Sequence, residues 1–536
     1  MSHFFVEKCR KCDIMHLLLT VEREVLEMTT RNSLRLERAS GILLHISSLP
    51  SKYGIGTFGE KAYRFVDFLE EAGQAYWQIL PLGHTGFGDS PYQCYSSVAG
   101  NPFFIDLDFL AEEGFLDYNY LNCLNPYDDN RVDFGRISVE RYRILKIAFD
   151  QASRMGKAQE KIKKFEEENG DWLEDYAMFM AVRNLFGQKP VWQWEDERIK
   201  RRSPEAIQYY KKILKDDIDF YKFIQALFFE QWDSLKSYAN QKNVKIIGDI
   251  PIYVSPDSVE VWKNPELFQV DKDLVCKEVA GVPPDYYSET GQVWGNPVYN
   301  WKEHKKTNYS WWIDRIRHTL KIADVIRLDH FRGFQAFWSI PNGEETAING
   351  EWKDGPKMDL FNAIKNELGD VPFIAEDLGI ITDDVRELLK KTGFPGMRVM
   401  IYGLHENEDN MHLPHNWDRN VIGYTSTHDS ETFAQMVFEN SNDQDRTFAM
   451  DYINALNYNE IGIYAIRSAF ASPAIITITT MQDVLSLESE SRMNMPSTLG
   501  GNWSWRVSSN VLTHELAKKI CKITKTYKRL VKQDAF

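Results

Sequence analysis

The sequence predicts a (β/α)8 barrel, an α/β fold of the TIM-barrel kind, carrying a large helical insertion and loop subdomains. Three observations predict it. Eight short apolar runs each close in polar residues, and their hydrophobicity is continuous rather than alternating, as in strands covered on both faces. Amphipathic stretches of helical period lie between several of them, and strand, helix, strand in repetition argues a closed parallel sheet.

The first two runs are "GILLHISSLPS" (41–51) and "YWQILPLG" (76–83). About 160 residues then intervene before the third, filled by charged helical segments such as "ERYRILKIAFDQASR" and "AQEKIKKFEEENGDWLEDYAMFMAVRNLF". They carry no strand signal, so a mainly helical subdomain inserted over about 103–240 is expected. The barrel resumes with "VKIIGDIPIYV" (244–254). A connection rich in Gly, Pro and aromatics, "DKDLVCKEVAGVPPDYYSETGQVWGNPVYNW" (271–301), has little periodicity, and 255–310 is expected to be a loop region lining one side of a site. The remaining runs are "DVIRLDHF" (324–331), "VPFIAEDLG" (371–379), "GMRVMIYG" (396–403), "NVIGYTSTHD" (420–429) and "PAIITITTMQD" (473–483). Helices are expected at 357–369 and 382–393. Residues 39–536 therefore form the barrel unit, and 1–38 a loosely attached extension, too acidic for a secretory or organelle address. Met28 is a second candidate start.

Composition narrows the partners. The formal charge is −15, with no long basic stretch, which argues against nucleic acid and anionic membranes and for a neutral or small ligand. No apolar run reaches the roughly 18 residues of a membrane span. Six cysteines spread over 536 residues read as reduced thiols of a cytoplasmic protein. Cys9-x-x-Cys12 with His16 has the shape of half a zinc motif but lacks a second ligand pair, and no metal is expected there.

The chemistry should sit where barrel strands end. Arg327 and Asp329 end one run, Glu376 another, and His428 and Asp429 close a third, so three carboxylates should converge above one barrel. Any one of them alone reads more readily as a rim salt bridge; three at matching strand ends read as a site. Paired carboxylates are the chemistry of glycosidic bond cleavage, one ionised and one delivering a proton. Arg327 should hold Asp329 as an anion, and burial beside other carboxylates should push Glu376 up.

The blocks "GDSPYQCYSSVAGNP", "IGDIPIYVSPDSVEVWKNPELF", "GVPPDYYSETGQVWGNPVYNW", "VIRLDHFRGF", "IAEDLG", "YTSTHDSET" and "RMNMPSTLGGNWSWR" together resemble 4-α-glucanotransferases of the amylomaltase and disproportionating-enzyme type, relatives of the α-amylase clan, from about Gly41 to Val507. The resemblance implies Asp329 as nucleophile, Glu376 as acid/base and Asp429 as the carboxylate that stabilises the distorted sugar, with Arg327 and His428 in support. Asp249 looks like the family's further acidic position, and reads equally as an Asp ordering the loop after the third run. Tyr92 resembles the platform under the cleaved sugar and Trp294 the acceptor-side platform, with Gln292 and Asn494 as further substrate-binding residues. Tyr286 and Tyr287 of the same loop are candidates to hold an acceptor. The implied substrates are maltodextrins and glucose, with no cofactor. A retaining hydrolase with the same carboxylates, or a catalytically silent glucan-binding protein, are the alternatives. The chain departs from the family at "HDSET" (428–432), at Ile401 where Gln is usual, and at Ser486 and Ser497 where Gly is expected.

Overall fold

The computed structural model describes residues 36–285, 288–405 and 410–531. The strands in chain order are β1 (Ala39–Leu43), β2 (Tyr76–Gln78), β3 (Lys245–Ile250), β4 (Glu278–Val282), β5 (Gln292–Pro297), β6 (Val325–Leu328), β7 (Ala336–Pro341), β8 (Glu351–Asp354), β9 (Phe373–Ala375), β10 (Gly396–Val399), β11 (Val421–Tyr424) and β12 (Ile476–Thr480). Eight of them close a parallel barrel in the order β1-β12-β11-β10-β9-β6-β3-β2, and each lies inside one of the eight apolar runs or overlaps it. Burial explains the continuous hydrophobicity: β1, β6 and β11 are buried along their whole length, between the barrel interior and an outer layer of helices. Register then places chemistry. Asp249 of β3 pairs in register with Arg327 of β6, and Arg327 with Ile374 of β9, so Asp249 and Arg327 share one face across neighbouring strands.

Helices Met358–Leu368 and Asp383–Thr392 fall where the period places them. Between β2 and β3 run three long helices, Phe134–Arg154, Lys157–Leu185 and Lys215–Gln241. The second and third pack along each other through Phe165 stacked on Phe229 and Tyr176 edge-on to Tyr221. The third also covers the barrel: Trp232, fully buried, meets Phe58 and donates its indole N–H to the Ile322 carbonyl at 3.2 Å.

The region 255–310 is not a loop throughout. It supplies β4 and β5 to a four-stranded antiparallel sheet of order β5-β4-β7-β8, whose other two strands come from the connection after β6. The strands are short, interrupted by Gly281, Gly295 and Pro297, and their partners lie in a different connection, so no local period announces them. Nor do His428 and Asp429 close a strand, since β11 stops at Tyr424 and both lie in the loop beyond. Residues 1–35 of the proposed extension, with Cys9, Cys12, His16 and Met28 among them, and Tyr286 and Tyr287 lie outside the described residues.

Candidate active site

One guanidinium organises the floor of the site. Arg327, 3% exposed at the end of β6, donates from Nη1 to Asp249 Oδ2 at 2.7 Å and to Asp329 Oδ1 at 3.2 Å, and its Nη2 stands 3.9 Å from Glu376 Oε2. The first contact follows from strand register; the others arise because Asp329 and Glu376 each stand one residue beyond their strands. Burial works against the arginine's charge, but Asp249 and the other acidic groups hold it protonated far above its ordinary value.

The carboxyls differ in what surrounds them. Burial raises Glu376 to about 8, against the pull of Arg327 and of the His330 N–H, which donates to Oε2 at 2.6 Å; Asp329 and Asp429 push the same way as burial. Burial also raises Asp329, to about 6, with Arg327 pulling it down and Asp249 and Asp429 pushing it up. Desolvation outweighs Arg327 at Asp329 and lifts it above the ordinary carboxylate range. Asp429 goes the other way. Burial would raise it, but His428 Nε2 at 3.0 Å from Oδ2 and the Asn494 amide, donating to Oδ1 at 2.8 Å, hold it well below the usual range. At neutral pH Glu376 is therefore the carboxyl that keeps its proton, while Asp329 and Asp429 are anions.

Tyr92 ties the two halves together. Its hydroxyl donates to Asp249 Oδ2 at 2.9 Å and lies 2.7 Å from His428 Nε2, and its ring is parallel to the His428 ring, centroids 5.7 Å apart. Trp294 and Gln292 stand together on β5, the indole N–H donating to Gln292 Oε1 at 3.1 Å, and the Trp294 ring meets the His330 ring edge-on at 4.9 Å. Apart from Tyr286 and Tyr287, the ten residues that the sequence assigns to catalysis, support and substrate binding are thus joined by one chain of contacts.

Sequence reasoning missed three contributors. His330 has left-handed backbone (φ 44°), which turns its N–H onto Glu376. Trp503, also left-handed at φ 61°, packs on both Tyr92 and His428. Gln93 donates to Asn296 Oδ1 at 2.9 Å and so fastens the Tyr92 loop to the β5 hairpin. Their presence in the motifs was the only signal available, because each acts through loop conformation. The departures fall at the margins. Ser486 and Ser497 both adopt positive φ, 55° and 64°, which is why glycine is expected there. Ile401 is buried in the core, and Ser430 is bonded within its own loop, accepting from the Thr427 N–H at 2.9 Å.

Among the described residues, no group of three or more His, Cys, Asp or Glu is placed to hold a metal ion, and no helix is long and apolar enough to cross a membrane.

Comparison with known proteins addresses the chain as a whole. A family model described as 4-alpha-glucanotransferase matches residues 44–513. A 4-alpha-glucanotransferase of Clostridium butyricum is 48% identical over 489 residues, which cover 91% of this chain and 100% of that one. An amylomaltase from Streptococcus agalactiae, solved in complex with acarbose, superposes with a TM-score of 0.89 at 43% identity, covering 92% of this chain and 100% of the other. An amylomaltase from Corynebacterium glutamicum, at 17% identity and a TM-score of 0.72 over 91% of this chain and 75% of the other, shares the fold.

Proposed function

The chain belongs to the 4-alpha-glucanotransferase family, and from that premise we propose that Asp329 is its nucleophile, Glu376 its acid/base and Asp429 the anion that stabilises the transition state. The enzyme transfers a segment of an α-1,4-glucan to an acceptor glucan or glucose. In the first half-reaction an Asp329 oxygen attacks the anomeric carbon, while the proton on Glu376 passes to the departing glycosidic oxygen. The non-reducing segment is left esterified to Asp329. In the second, the 4-hydroxyl of an acceptor attacks that carbon, gives its proton to Glu376 and releases Asp329. Arg327 balances the charge that moves among the carboxylates. Asp429, oriented by His428 and Asn494, faces the positive charge that develops on the sugar. Asp249 acts through Arg327 and Tyr92. The Tyr92 ring serves as platform for the cleaved glucose, and Trp294 with Gln292 for the acceptor.

The observation that carries this reading is the convergence of Asp249, Asp329 and Glu376 on one buried arginine, at 2.7, 3.2 and 3.9 Å, with burial raising both Asp329 and Glu376. It supplies an acid and an anion in one site at neutral pH. Donors and acceptors are maltodextrins and glucose, handled in the cytoplasm, in keeping with the thin spread of cysteines.

The test is incubation of the purified protein with maltotriose and chromatography of the products. A ladder of longer maltodextrins plus glucose is expected, absent with Asp329→Asn. Glucose and maltose without longer products would mean hydrolysis. Glu376→Gln should lose roughly 10²-fold or more on maltotriose, yet still consume α-maltosyl fluoride, whose leaving group needs no proton. Equal loss in the first-turnover release of glucose and of fluoride would remove Glu376 from the acid role; later turnovers slow with either donor, because the acceptor's proton also goes to Glu376.

A further inference from the structure

We propose that Asp483 is a positioning residue for catalysis: one buried carboxylate fastens both ends of the loop that carries His428 and Asp429. The inference rests on the role of Asp429 given above.

The loop leaves β11 at Tyr424 and enters a short helix at Phe433–Gln435. At its near end Thr425 Oγ1 and Ser426 Oγ each donate to Asp483 Oδ2 at 2.6 Å. At its far end the Phe433 N–H donates to Asp483 Oδ1 at 2.8 Å. Between these anchors lie only Thr427 to Thr432, with Asp429 in their midst.

Asp483 is itself fixed. It is fully buried in the helical turn Met481–Val484 that follows β12, and its N–H donates to Thr480 Oγ1 at 3.2 Å. Its carbonyl lies against Gly462, where an added Cβ would stand 1.7 Å from the oxygen, so helix Ile461–Ala471 presses directly on its backbone. The anchor cannot yield without moving that helix.

Stability alone does not call for a carboxylate here. Burying one is expensive unless each oxygen is hydrogen-bonded, and an apolar strand end would avoid the expense. Among the described residues, Asp483 meets hydroxyls and N–H groups rather than a cation. What a carboxylate adds is two acceptor oxygens diverging from one rigid carbon, which can draw two chain segments to a set separation. Asparagine keeps the shape but only one acceptor. The segments so held deliver Asp429 to the Asn494 amide. A misplacement of about 1 Å in such a group can cost on the order of 10²-fold in rate.

Asp483→Asn, Asp429→Asn and the double variant should be compared by steady-state transfer from maltotriose. Asp483→Asn is expected to lower kcat by about 10- to 100-fold with KM changed less than about twofold, since the interaction matters in the transition state. In the Asp429→Asn background it should add no further loss. Losses that multiply in the double variant, or a wild-type kcat in folded Asp483→Asn, overturn the inference. If Asp429→Asn is inactive and Asp483→Asn is unimpaired, only the positioning role fails; if Asp429→Asn transfers normally, the role of Asp429 itself fails. Should Asp483→Asn not fold, Thr425→Val and Ser426→Ala each remove one donor. Both are expected to lower kcat with KM held, and an unchanged kcat in both counts against the proposal.

Discussion

Arg327 reaches three carboxylates with one side chain, and the consequences are electrostatic before they are geometric. The proton follows burial: Glu376, raised to about 8, keeps it at pH values where Asp329, raised to about 6, has lost it. The proposed roles require Asp329 ionised and Glu376 protonated. The sign is therefore fixed at both ends: kcat/KM should rise with pH through about 6 as Asp329 loses its proton, and fall through about 8 as Glu376 does. The two limbs belong to the coupled pair rather than to either group alone. Initial rates of maltotriose disproportionation at low substrate from pH 4.5 to 10 would show it, and a profile flat across this range would contradict the assignment. Much of this was legible in the sequence, because charged residues close three apolar runs at once, which isolated rim salt bridges do not call for. The balance was not. That desolvation outweighs Arg327 at Asp329 depends on how deeply the side chain sits. The His330 N–H reaches Glu376 only because His330 adopts φ 44°.

At the scale of elements, the eight barrel strands could be read from short apolar runs, and helices from their period, because both patterns are local. The sheet β5-β4-β7-β8 was not legible, since it pairs strands from two separate connections and its chain is broken by Gly and Pro. The same holds for the support of the Tyr92 loop. His84, buried at the loop's start, lies 2.6 Å from the Tyr142 hydroxyl and 2.9 Å from the Tyr176 hydroxyl, which belong to two different inserted helices. Burial lowers His84 to about 3, so the ring is neutral and serves one hydroxyl as donor and the other as acceptor. Gln225, on the third long helix, bonds both the N–H and the carbonyl of Gly100 at the loop's other end. The insertion thus acts as a buttress for the Tyr92 loop, whose ring is the proposed platform under the sugar. His84→Leu would leave the Tyr142 hydroxyl bare, at a cost of about 1–3 kcal/mol, with a weaker loss at Tyr176, which retains Gln225. We expect a lower urea midpoint and a KM for maltotriose raised several-fold, with kcat reduced less. A KM unchanged despite the lost stability would show that the platform does not depend on the insertion.

Taken whole, the barrel separates function from fastening along its axis. Every group assigned to the chemistry stands at or beyond the carboxyl ends of the strands, the end where barrels keep their sites. The opposite end is held by arginines. Arg529, fully buried after the last helix His514–Thr526, donates to the carbonyls of Ala39, Phe470, Ser472 and Ala474 at 2.9–3.1 Å. Those acceptors lie at the start of β1 and in the approach to β12, so the chain's C-terminal end stitches the seam where first and last strands meet. Arg38 reaches Phe470, Ser472 and Ala474 as well, so of the four carbonyls only Ala39 has Arg529 as its one arginine. No local pattern marks a single arginine as a closing stitch, and none was read from the sequence. Arg529→Met removes the fan of donors while keeping much of the volume. The Ala39 carbonyl loses its charged donor while Phe470, Ser472 and Ala474 keep Arg38, so the expected loss is about 1–3 kcal/mol of folding stability. The site at the far end keeps Arg327, Glu376 and their partners, so kcat and KM of the folded fraction should match wild type at 25 °C. Urea unfolding alongside maltotriose kinetics separates the two quantities. A kcat that falls in step with stability would mean that closure at the base is transmitted through the barrel to the carboxylates, and the two ends would then have to be treated as one cooperative unit.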